Sequence, residues 1–298
     1  MISIGIPTYN QADTLGETIE SFINQTLAPL EIVVSDNWCT DNTQEILKRY
    51  KGMIKVVKPA RHLSMMENWN FLVSHLKGEW FSLMSSDDIA LPNFVLDISR
   101  AISQNTDAVL IRGPYIAIDG NGFEVDRRTA IYAAKKRDFP DNFYEQIWGT
   151  KTSFAAFCVK KEAFENLGFN KNLTYAGDYA LWLRLSPMGS FITTEKCISK
   201  YRVDYREDIS AHRSKAIIND SILIKTQIIP SIRNNWITCA MLSVTVFRYI
   251  RWLEKNVRSD CTKDFIDKLN ELERLKGTFL KRGLGLILNK LYRIRTIK

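Results

Sequence analysis

Short apolar runs alternate with helix-like patterns over the first 112 residues, and this alternation restricts the fold more than any other feature of the chain. Each run has five or six residues, the length of a buried strand, and the segments between them repeat apolar residues at helical spacing. Alternating strands and helices are typical of βαβ units with parallel strands. The predicted strands are 2–6, 31–35, 53–58, 80–84 and 107–112. We therefore expect an α/β protein with an open, mostly parallel sheet flanked by helices.

The fourth run leads into two adjacent acids, Asp87 and Asp88. A parallel strand delivers such residues to the carboxyl edge of the sheet, where open α/β folds bind their ligands. Carboxylate oxygens suit Mg²⁺ or Mn²⁺, and Mg²⁺ usually shares its other positions with water and substrate phosphates. The same pair can instead form a solvated turn before a helix that begins near Asn93. A metal site and a simple turn both remain open.

Two other strand ends add polar groups to the same edge. The first run leads into a turn with an aromatic ring for a base and with hydroxyl and amide groups for a ribose or phosphate. This turn consists of Pro7, Thr8, Tyr9 and Asn10. The second run leads into Asp36, which can accept hydrogen bonds from a base or a ribose, although core packing of Tyr9 and an Asx turn at Asp36 are the structural alternatives. The absence of GxGxxG and GxxxxGK[ST] patterns disfavours a classical dinucleotide fold and a P-loop.

Positive charge is concentrated at the C-terminal end of the chain, whose net charge is +8. Residues 231–298 hold 15 Lys and Arg against 6 Asp and Glu, whereas the preceding part is balanced. This shift predicts a domain over 1–225 and a basic helical region over 226–298. Apolar residues at helical spacing, with basic residues between them, predict an amphipathic helix over 280–294. Such a helix can lie on an anionic membrane, bind nucleic acid or pack on the preceding domain.

Cysteine usage and apolar segments indicate the cellular location. The five cysteines are scattered, with no CxxC or Cys/His cluster, which favours a reducing compartment and disfavours structural zinc. No basic segment followed by a long apolar stretch opens the chain, so we expect no secretory signal. The apolar stretch 234–247 is shorter than the roughly 20 residues of a membrane-spanning helix. We expect a soluble or peripheral protein.

Taken together, the motifs resemble those of family 2 glycosyltransferases with the GT-A fold, over roughly residues 1 to 215. The matching segments are IGIPTYN at 4–10, EIVVSDN at 31–37, TDNT at 40–43, KGEW at 77–80 and SDD at 86–88. The resemblance implies an inverting enzyme that moves a sugar from a nucleotide-sugar donor, most readily a UDP-sugar, to a hydroxyl of a glycan or lipid-linked saccharide. It also implies a bacterial polysaccharide pathway of the O-antigen or capsule type.

The resemblance further assigns roles to individual residues. The residues expected around the nucleotide are Pro7, Thr8, Tyr9, Asn10 and Asp36. Asp87 is expected at the ribose or the metal shell, and Asp88 is expected to ligate the Mg²⁺ or Mn²⁺ ion that bridges the diphosphate. The family pattern also requires an acidic residue at a later helix start, and the sequence supplies Asp178 there. Asp178 is the expected general base, which takes the proton of the acceptor hydroxyl during a single displacement.

Several further residues are candidates on their position alone. Arg61 and Asn68 precede the fourth predicted strand, which leads into the two acids, and they can reach the base or ribose. Trp182 can serve as an acceptor platform, although its spacing to Leu185 favours a place in the core. The sequence also departs from the family pattern at Gly177, where an acidic residue often precedes the base.

A polar segment after residue 204 is a candidate loop over the donor. His212 is a possible metal ligand there, and Arg206 and Arg213 are possible phosphate or acceptor contacts. An exposed histidine without a ligand is the simpler interpretation of His212.

Two other classes of protein remain open. A sugar nucleotidyltransferase normally carries a glycine-rich loop with Lys or Arg after the first strand, and the turn 7–10 has no basic residue. A non-catalytic nucleotide- or carbohydrate-binding module would keep the pocket without metal-dependent release of nucleoside diphosphate. For the basic tail, the resemblance favours an anionic membrane surface over nucleic acid, because such transferases often act on lipid-linked acceptors. We therefore expect a peripheral protein at the cytoplasmic face of the membrane, with no nucleic-acid partner.

Overall fold

The computed structural model describes residues 1–125, 133–148, 151–203 and 210–233, together with Asn235 and Thr238. The strands are Ile2–Thr8 (β1), Glu31–Asp36 (β2), Lys55–Val57 (β3), Trp80–Leu83 (β4), Ile89–Ala90 (β5), Ala108–Arg112 (β6), Tyr115–Ile118 (β7), Lys135–Arg137 (β8), Phe157–Lys160 (β9), Ser190–Thr193 (β10) and Ser199–Arg202 (β11). The helices are Ala12–Ile23 (α1), Thr43–Arg49 (α2), Met65–Ser74 (α3), Phe94–Gln104 (α4), Asp141–Trp148 (α5), Lys161–Glu165 (α6), Gly177–Leu185 (α7), Ser210–Leu223 (α8) and Ile229–Ile232 (α9).

Eight of these strands form one sheet in the order β3-β2-β1-β4-β9-β6-β10-β8. The first four in this order are parallel to one another, and β6 is parallel to β10. The strand β9 lies antiparallel between β4 and β6, and β8 is an antiparallel edge strand. All five predicted strands are present, with ends that differ by at most two residues. The predicted class, a mixed and mostly parallel α/β sheet, is confirmed.

Helices cover both faces of this sheet because side chains alternate along each strand. Ile4 of β1 packs in the cluster that includes α1 and α4. On the opposite face, a Cβ at Gly5 would come within 3.1 Å of Leu72 in α3, so glycine lets this helix approach the sheet closely. A capping box of Ser64 and Glu67 is present at the start of α3, and the spacing of these two residues in the sequence is typical of one.

A second, three-stranded sheet in the order β5-β11-β7 lies next to the acidic loop that follows β4. A turn over 119–122 follows β7, and in it the Gly122 N–H donates to the Asp119 carbonyl at 3.1 Å. Gly122 has a φ of 88°, a conformation that favours glycine. The sheet ends at Arg202, which places this residue beside the two acids.

The last described elements pack on α5 and α7. Helix α8 continues through a π-helical turn, Ile224–Ile228, into α9. Ile224 and Ile228 are buried in one cluster with Phe143 of α5 and Leu183 of α7. The division of the chain at residue 225 stays a prediction, and the predicted helix over 280–294 lies outside the described residues. None of the helices described by the structure is both long and apolar enough to cross a membrane.

Candidate active site

The carboxyl ends of β1, β2 and β4 lie side by side, because these three strands are adjacent and parallel. Thr8 at the end of β1 is in register with Asp36 at the end of β2. The turn 7–10, the turn after β2 and the acidic loop after β4 therefore meet at one edge of the sheet, as predicted from the sequence.

Two residues at this edge have left-handed backbone conformations. Among the described residues, Asn10 (φ 52°) and Trp38 (φ 65°) are the non-glycine residues with positive φ. Asparagine tolerates this region, but for tryptophan it costs on the order of 1–3 kcal/mol, and such strain is usually retained at functional sites. Asn10 Oδ1 accepts the Thr40 N–H at 2.8 Å, and the Trp38 indole N–H donates to the Pro59 carbonyl at 2.9 Å. These bonds fix both turns and leave the Trp38 ring 44% exposed.

The turn after β1 exposes only its second half. Tyr9 is 49% exposed and Asn10 is partly exposed, whereas Pro7 and Thr8 are buried. The Tyr9 ring packs on His62, with ring centroids 4.7 Å apart, so the loop before α3 reaches this part of the edge. The expected nucleotide contacts of Pro7 and Thr8 stay predictions. These residues support the turn, and Tyr9 and Asn10 carry its accessible groups.

Asp36 is 1% exposed, and protein donors already hold its carboxylate. The Cys39 N–H donates to Oδ1 at 2.9 Å, while the Lys58 ammonium and the Gln44 amide donate to Oδ2 at 2.9 and 2.5 Å. Burial raises the pKa of Asp36, but the hydrogen bonds from Cys39 and Lys58 outweigh it, and the pKa is lowered. Lys58 Nζ lies 5.1 Å from the Trp38 ring centroid. Asp36 thus anchors the exposed Lys58, and its contact with a base stays a prediction.

The two candidates after β3 have different environments. Asn68 is buried, and its Oδ1 accepts the Ser35 hydroxyl at 2.6 Å. The Asn68 side chain thus supports the end of β2, and its contact with the nucleotide stays a prediction. Arg61 is exposed and donates to the carbonyl of His62 at 3.1 Å. Arg61 thus stays close to the ring contact between His62 and Tyr9.

Asp87 and Asp88 have opposite environments, and Asp87 lies in a turn in which the Asp88 N–H donates to the Ser85 carbonyl at 3.1 Å. Asp87 is partly exposed, and its Oδ2 accepts the Gln11 amide at 3.1 Å. Asp88 is 1% exposed, its Oδ1 accepts the Arg202 N–H at 2.9 Å, and its Oδ2 is buried without a hydrogen-bond partner. Burial and the charge of Asp87 raise the pKa of Asp88 well above its ordinary value, which favours the neutral acid. Asp87 therefore presents the accessible carboxylate, and metal ligation by Asp88 stays a prediction.

The acidic loop is held from two sides. From α1, the Thr14 hydroxyl donates to the Ser86 carbonyl at 2.9 Å. From β11, the Arg202 Nε donates to the Asp87 carbonyl at 2.9 Å, and its Nη2 pairs with Glu17 at 2.6 Å. Because the backbone is fixed at both ends of this short loop, the direction of the Asp87 side chain is restricted.

Asp178 occupies the first turn of α7, as predicted, and this turn contacts the start of α3. A Cβ on Gly177 would lie 1.8 Å from Sδ of Met66 in α3, which explains why glycine stands where the family often has an acid. Burial raises the pKa of Asp178 from 3.8 to about 6, although the Tyr179 N–H donates to its Oδ1 at 2.7 Å and opposes this rise. A carboxylate with this pKa is deprotonated at neutral pH and is a stronger base than an ordinary aspartate.

The remaining candidates do not add to the described site. Trp182 is fully buried and packs on Phe157 with ring centroids 4.8 Å apart, in the core position that its spacing to Leu185 favours; a contact with the acceptor stays a prediction. His212 and Arg213 fall within α8, and Arg206 lies outside the described residues. Their contacts with metal, phosphate or acceptor stay predictions.

Three residues of this edge were missed by sequence reasoning. Lys58 directly follows β3, so the rule that strand ends meet at one edge could have identified it. Gln11 directly follows the turn 7–10, and a longer definition of that turn would have included it. Arg202 lies 115 positions after Asp87, and no local pattern connects the two residues.

The donor groups at this edge are compatible with a hard divalent cation. Within the ranges that the structure describes, no three His, Cys, Asp or Glu side chains converge as a preformed metal site. The accessible group is the Asp87 carboxylate, which accepts the Gln11 amide, and Oδ2 of the adjacent Asp88 is buried without a hydrogen-bond partner. Carboxylate oxygens suit Mg²⁺ or Mn²⁺ when water and substrate phosphates supply the other ligands.

Curated relatives of this chain include proteins named as glycosyltransferases. An uncharacterized glycosyltransferase of Haemophilus influenzae is 27% identical over 230 residues, which are 71% of this chain and 68% of that protein. The chondroitin synthase of Pasteurella multocida is 27% identical over 199 residues, which are 64% of this chain but only 19% of the synthase.

Solved structures with a similar fold and one family model also match this chain. S. aureus TarS 1-349 in complex with UDP-GlcNAc has a TM-score of 0.73 at 16% identity, covering 91% of this chain and 80% of that one. The mannosyltransferase PcManGT from Pyrobaculum calidifontis has a TM-score of 0.56 at 15% identity, covering 97% and 86%. These similarities confirm the GT-A fold. Because the model of glycosyl transferase family 2 matches residues 3–168, more than half of the chain, the protein belongs to that family and is a glycosyltransferase.

Proposed function

We propose that the protein transfers a sugar, with inversion, from a UDP-sugar to a hydroxyl group of a glycan or lipid-linked saccharide. The observation that carries this proposal is Asp178, a partly buried carboxylate in the first turn of α7 whose Oδ1 accepts the Tyr179 N–H at 2.7 Å. The TarS complex with UDP-GlcNAc supports the choice of donor. The chondroitin and hyaluronan synthases among the relatives support a polysaccharide product.

The nucleotide is assigned to the exposed groups around the ends of β1 and β2. Tyr9 and Trp38 offer two aromatic surfaces for a base, and both rings are close to half exposed. Lys58 offers a cation beside Trp38, and Arg61 lies in the adjacent loop. The Asn10 side chain accepts the Thr40 N–H, so it fixes the distance between the turn after β1 and the turn after β2.

Asp87 is the assigned protein ligand of the divalent metal. Mg²⁺ or Mn²⁺, when bound there, offsets the negative charge that develops on the leaving nucleoside diphosphate. The PcManGT complex with GDP-Man and Mn²⁺ supports this type of cofactor. Gln11 and Arg202 orient Asp87 through its carboxylate and its carbonyl, respectively. The buried Asp88 keeps Arg202 in place through the backbone N–H of that residue.

Asp178 is the assigned general base. Its carboxylate takes the proton of the acceptor hydroxyl while that oxygen attacks the anomeric carbon, and the diphosphate leaves from the opposite side. One displacement of this kind inverts the anomeric configuration. General-base assistance contributes about 10²- to 10⁴-fold to the rate. The raised pKa of Asp178 suits the role, because the group is ionised at pH 7 and still accepts a proton readily.

The proposed place of action is the cytoplasmic face of the membrane, in assembly of an O-antigen or capsule. The excess of basic residues over 231–298 supports attraction to anionic lipids. Removal of the residues after 274 should then release the protein from vesicles that contain anionic lipid. Unchanged vesicle binding of the shortened chain would contradict this assignment of the tail.

A panel of nucleotide sugars, read by release of nucleoside diphosphate, tests the proposed reaction. Release should require Mn²⁺ or Mg²⁺ and should stop with EDTA, and Asp178→Asn should retain nucleoside diphosphate binding while losing transfer. Binding without release for every donor would instead indicate a non-catalytic module. Formation of inorganic pyrophosphate from a nucleoside triphosphate and a sugar phosphate would indicate a nucleotidyltransferase.

A further inference from the structure

Asp220 of α8 is a buried carboxylate whose partners lie on another part of the chain. The residue is 2% exposed. Its Oδ2 accepts the backbone N–H groups of Thr174, Tyr175 and Ala176 at 3.0, 2.7 and 2.9 Å, and its Oδ1 accepts the Thr174 N–H at 3.0 Å. Three consecutive amide groups therefore converge on one side chain, 44 to 46 positions away in the sequence.

These amides belong to the segment that leads directly into α7. The N-cap residue of α7 is Ala176, which has no side-chain oxygen, and no side chain of the helix itself caps it. The helix then begins with Gly177, the residue with the greatest backbone freedom. Unsatisfied N–H groups and the helix dipole both favour a negative charge at this position. Asp220 supplies that charge and those acceptors from a different helix.

The position of Asp220 is itself fixed by apolar packing. Ile224, one turn further along the same helical segment, is 1% exposed and packs with Leu183 of α7 and Phe143 of α5. The same helix pair thus has an apolar contact and a charged contact, which together restrict how α8 can move relative to α7. Asp220 is too deeply buried to touch a substrate, so its effect on the reaction must act through the backbone that it holds.

We propose that Asp220 is a positioning residue for the general base, because it fixes the backbone of residues 174–176 and thereby the placement of Asp178 two residues later. The inference rests on the proposed role of Asp178. It assigns a part in catalysis to α8, which lies beyond the segment 3–168 that matches the family model. An error of about 1 Å in the position of a catalytic group can cost roughly 10²-fold in rate, so the loss of Asp220 should be visible in kcat.

The test compares Asp220→Ala and Asp220→Asn with Asn219→Ala, an exposed neighbour on the same helix, in the full-length chain. We expect kcat to fall roughly 10- to 100-fold in Asp220→Ala. We expect a smaller loss in Asp220→Asn, which keeps one acceptor oxygen, and no loss in Asn219→Ala. The KM for the nucleotide sugar and the Kd for nucleoside diphosphate should stay within about twofold. Equal losses in kcat and in nucleotide affinity would overturn the proposal, because they would indicate a general structural role.

A second measurement does not depend on the folding of the variants. In the unmodified protein, amide hydrogen exchange of residues 175 and 176 should be as slow as that of the α7 interior. Exchange at the rate of exposed amides would overturn the proposal. Asp178→Asn is assayed in parallel to separate the two claims. Normal turnover of Asp178→Asn would refute the assignment of the base, whereas an inactive Asp178→Asn with normal kcat in Asp220→Ala would refute only the role of Asp220.

Discussion

Replacing the assigned base by its neutral isostere should make the protein more stable at neutral pH. Burial raises the pKa of Asp178 from 3.8 to about 6. One pKa unit corresponds to 1.36 kcal/mol, so the ionised carboxylate lowers the free energy of unfolding by about 3 kcal/mol relative to a neutral side chain. Asp178→Asn removes this charge and keeps an oxygen that can accept the Tyr179 N–H. A gain in stability with a loss of activity is typical of functional residues.

The sign of the pH dependence follows from proton binding. The folded protein binds the proton of Asp178 more tightly than the unfolded chain. The loss of stability caused by ionisation of Asp178 is therefore absent below pH 4 and complete above about pH 6. Urea unfolding should therefore give similar free energies for both proteins at pH 4.0. At pH 7.5 Asp178→Asn should be more stable by about 3 kcal/mol. The kcat of the unmodified enzyme should fall as pH drops through about 6, because the base becomes protonated.

The control variant Asp107→Asn should change the free energy of unfolding in the opposite direction. The hydrogen bond from Lys136, at 2.7 Å, lowers the pKa of Asp107. Asp107→Asn should therefore destabilise the protein slightly at pH 7.5, and the effect should be small because the pair is exposed to solvent. If Asp178→Asn showed the same small loss as Asp107→Asn at pH 7.5, the argument that Asp178 is held in an unfavourable environment would be refuted.

Three further outcomes are expected. Asp87→Asn should abolish the effect of Mn²⁺ on nucleoside diphosphate binding in calorimetry, whereas Asp88→Asn should retain it; the reverse result would assign the ligand role to Asp88, as predicted from the sequence. Lys58→Ala should weaken nucleoside diphosphate binding roughly tenfold, since about 1.4 kcal/mol from one charged contact is enough for that change, and unchanged affinity would exclude a contact. Gly177→Ala should lower the free energy of unfolding in urea by about 1–3 kcal/mol through overlap with Met66. In the double variant with Met66→Ala, the total loss should be smaller than the sum of the two single losses, and additive losses would contradict the overlap.

Features that depend on neighbouring residues were predictable from the sequence. Strand runs, the capping box of Ser64 and Glu67 and the helix start at Asp178 all follow from patterns within a few residues. The meeting of three strand ends was also predictable, because parallel neighbours must end at the same edge.

Features that depend on distant contacts were not predictable. Asp87 and Asp88 are chemically identical in the sequence, and only the contact with Arg202, 114 positions beyond Asp88, gives them different surroundings. The same limit applies to Asp36 and Asn68, whose positions in the chain indicated the right edge but not their burial. Periodicity reports which elements form, whereas exposure at a strand end depends on what packs over it.

The contact between Asp220 and residues 174–176 also bears on how the enzyme matures during synthesis. Domains fold from the N-terminus as the chain leaves the ribosome, and a contact can form only after both of its partners have emerged. The strand ends that carry Tyr9, Asp36 and Asp87 are complete before residue 90, well ahead of Asp220. A nascent chain halted before residue 220 would thus contain the nucleotide surface but lack the anchor of the base. Transfer activity would then be acquired late, after most of the sheet has formed.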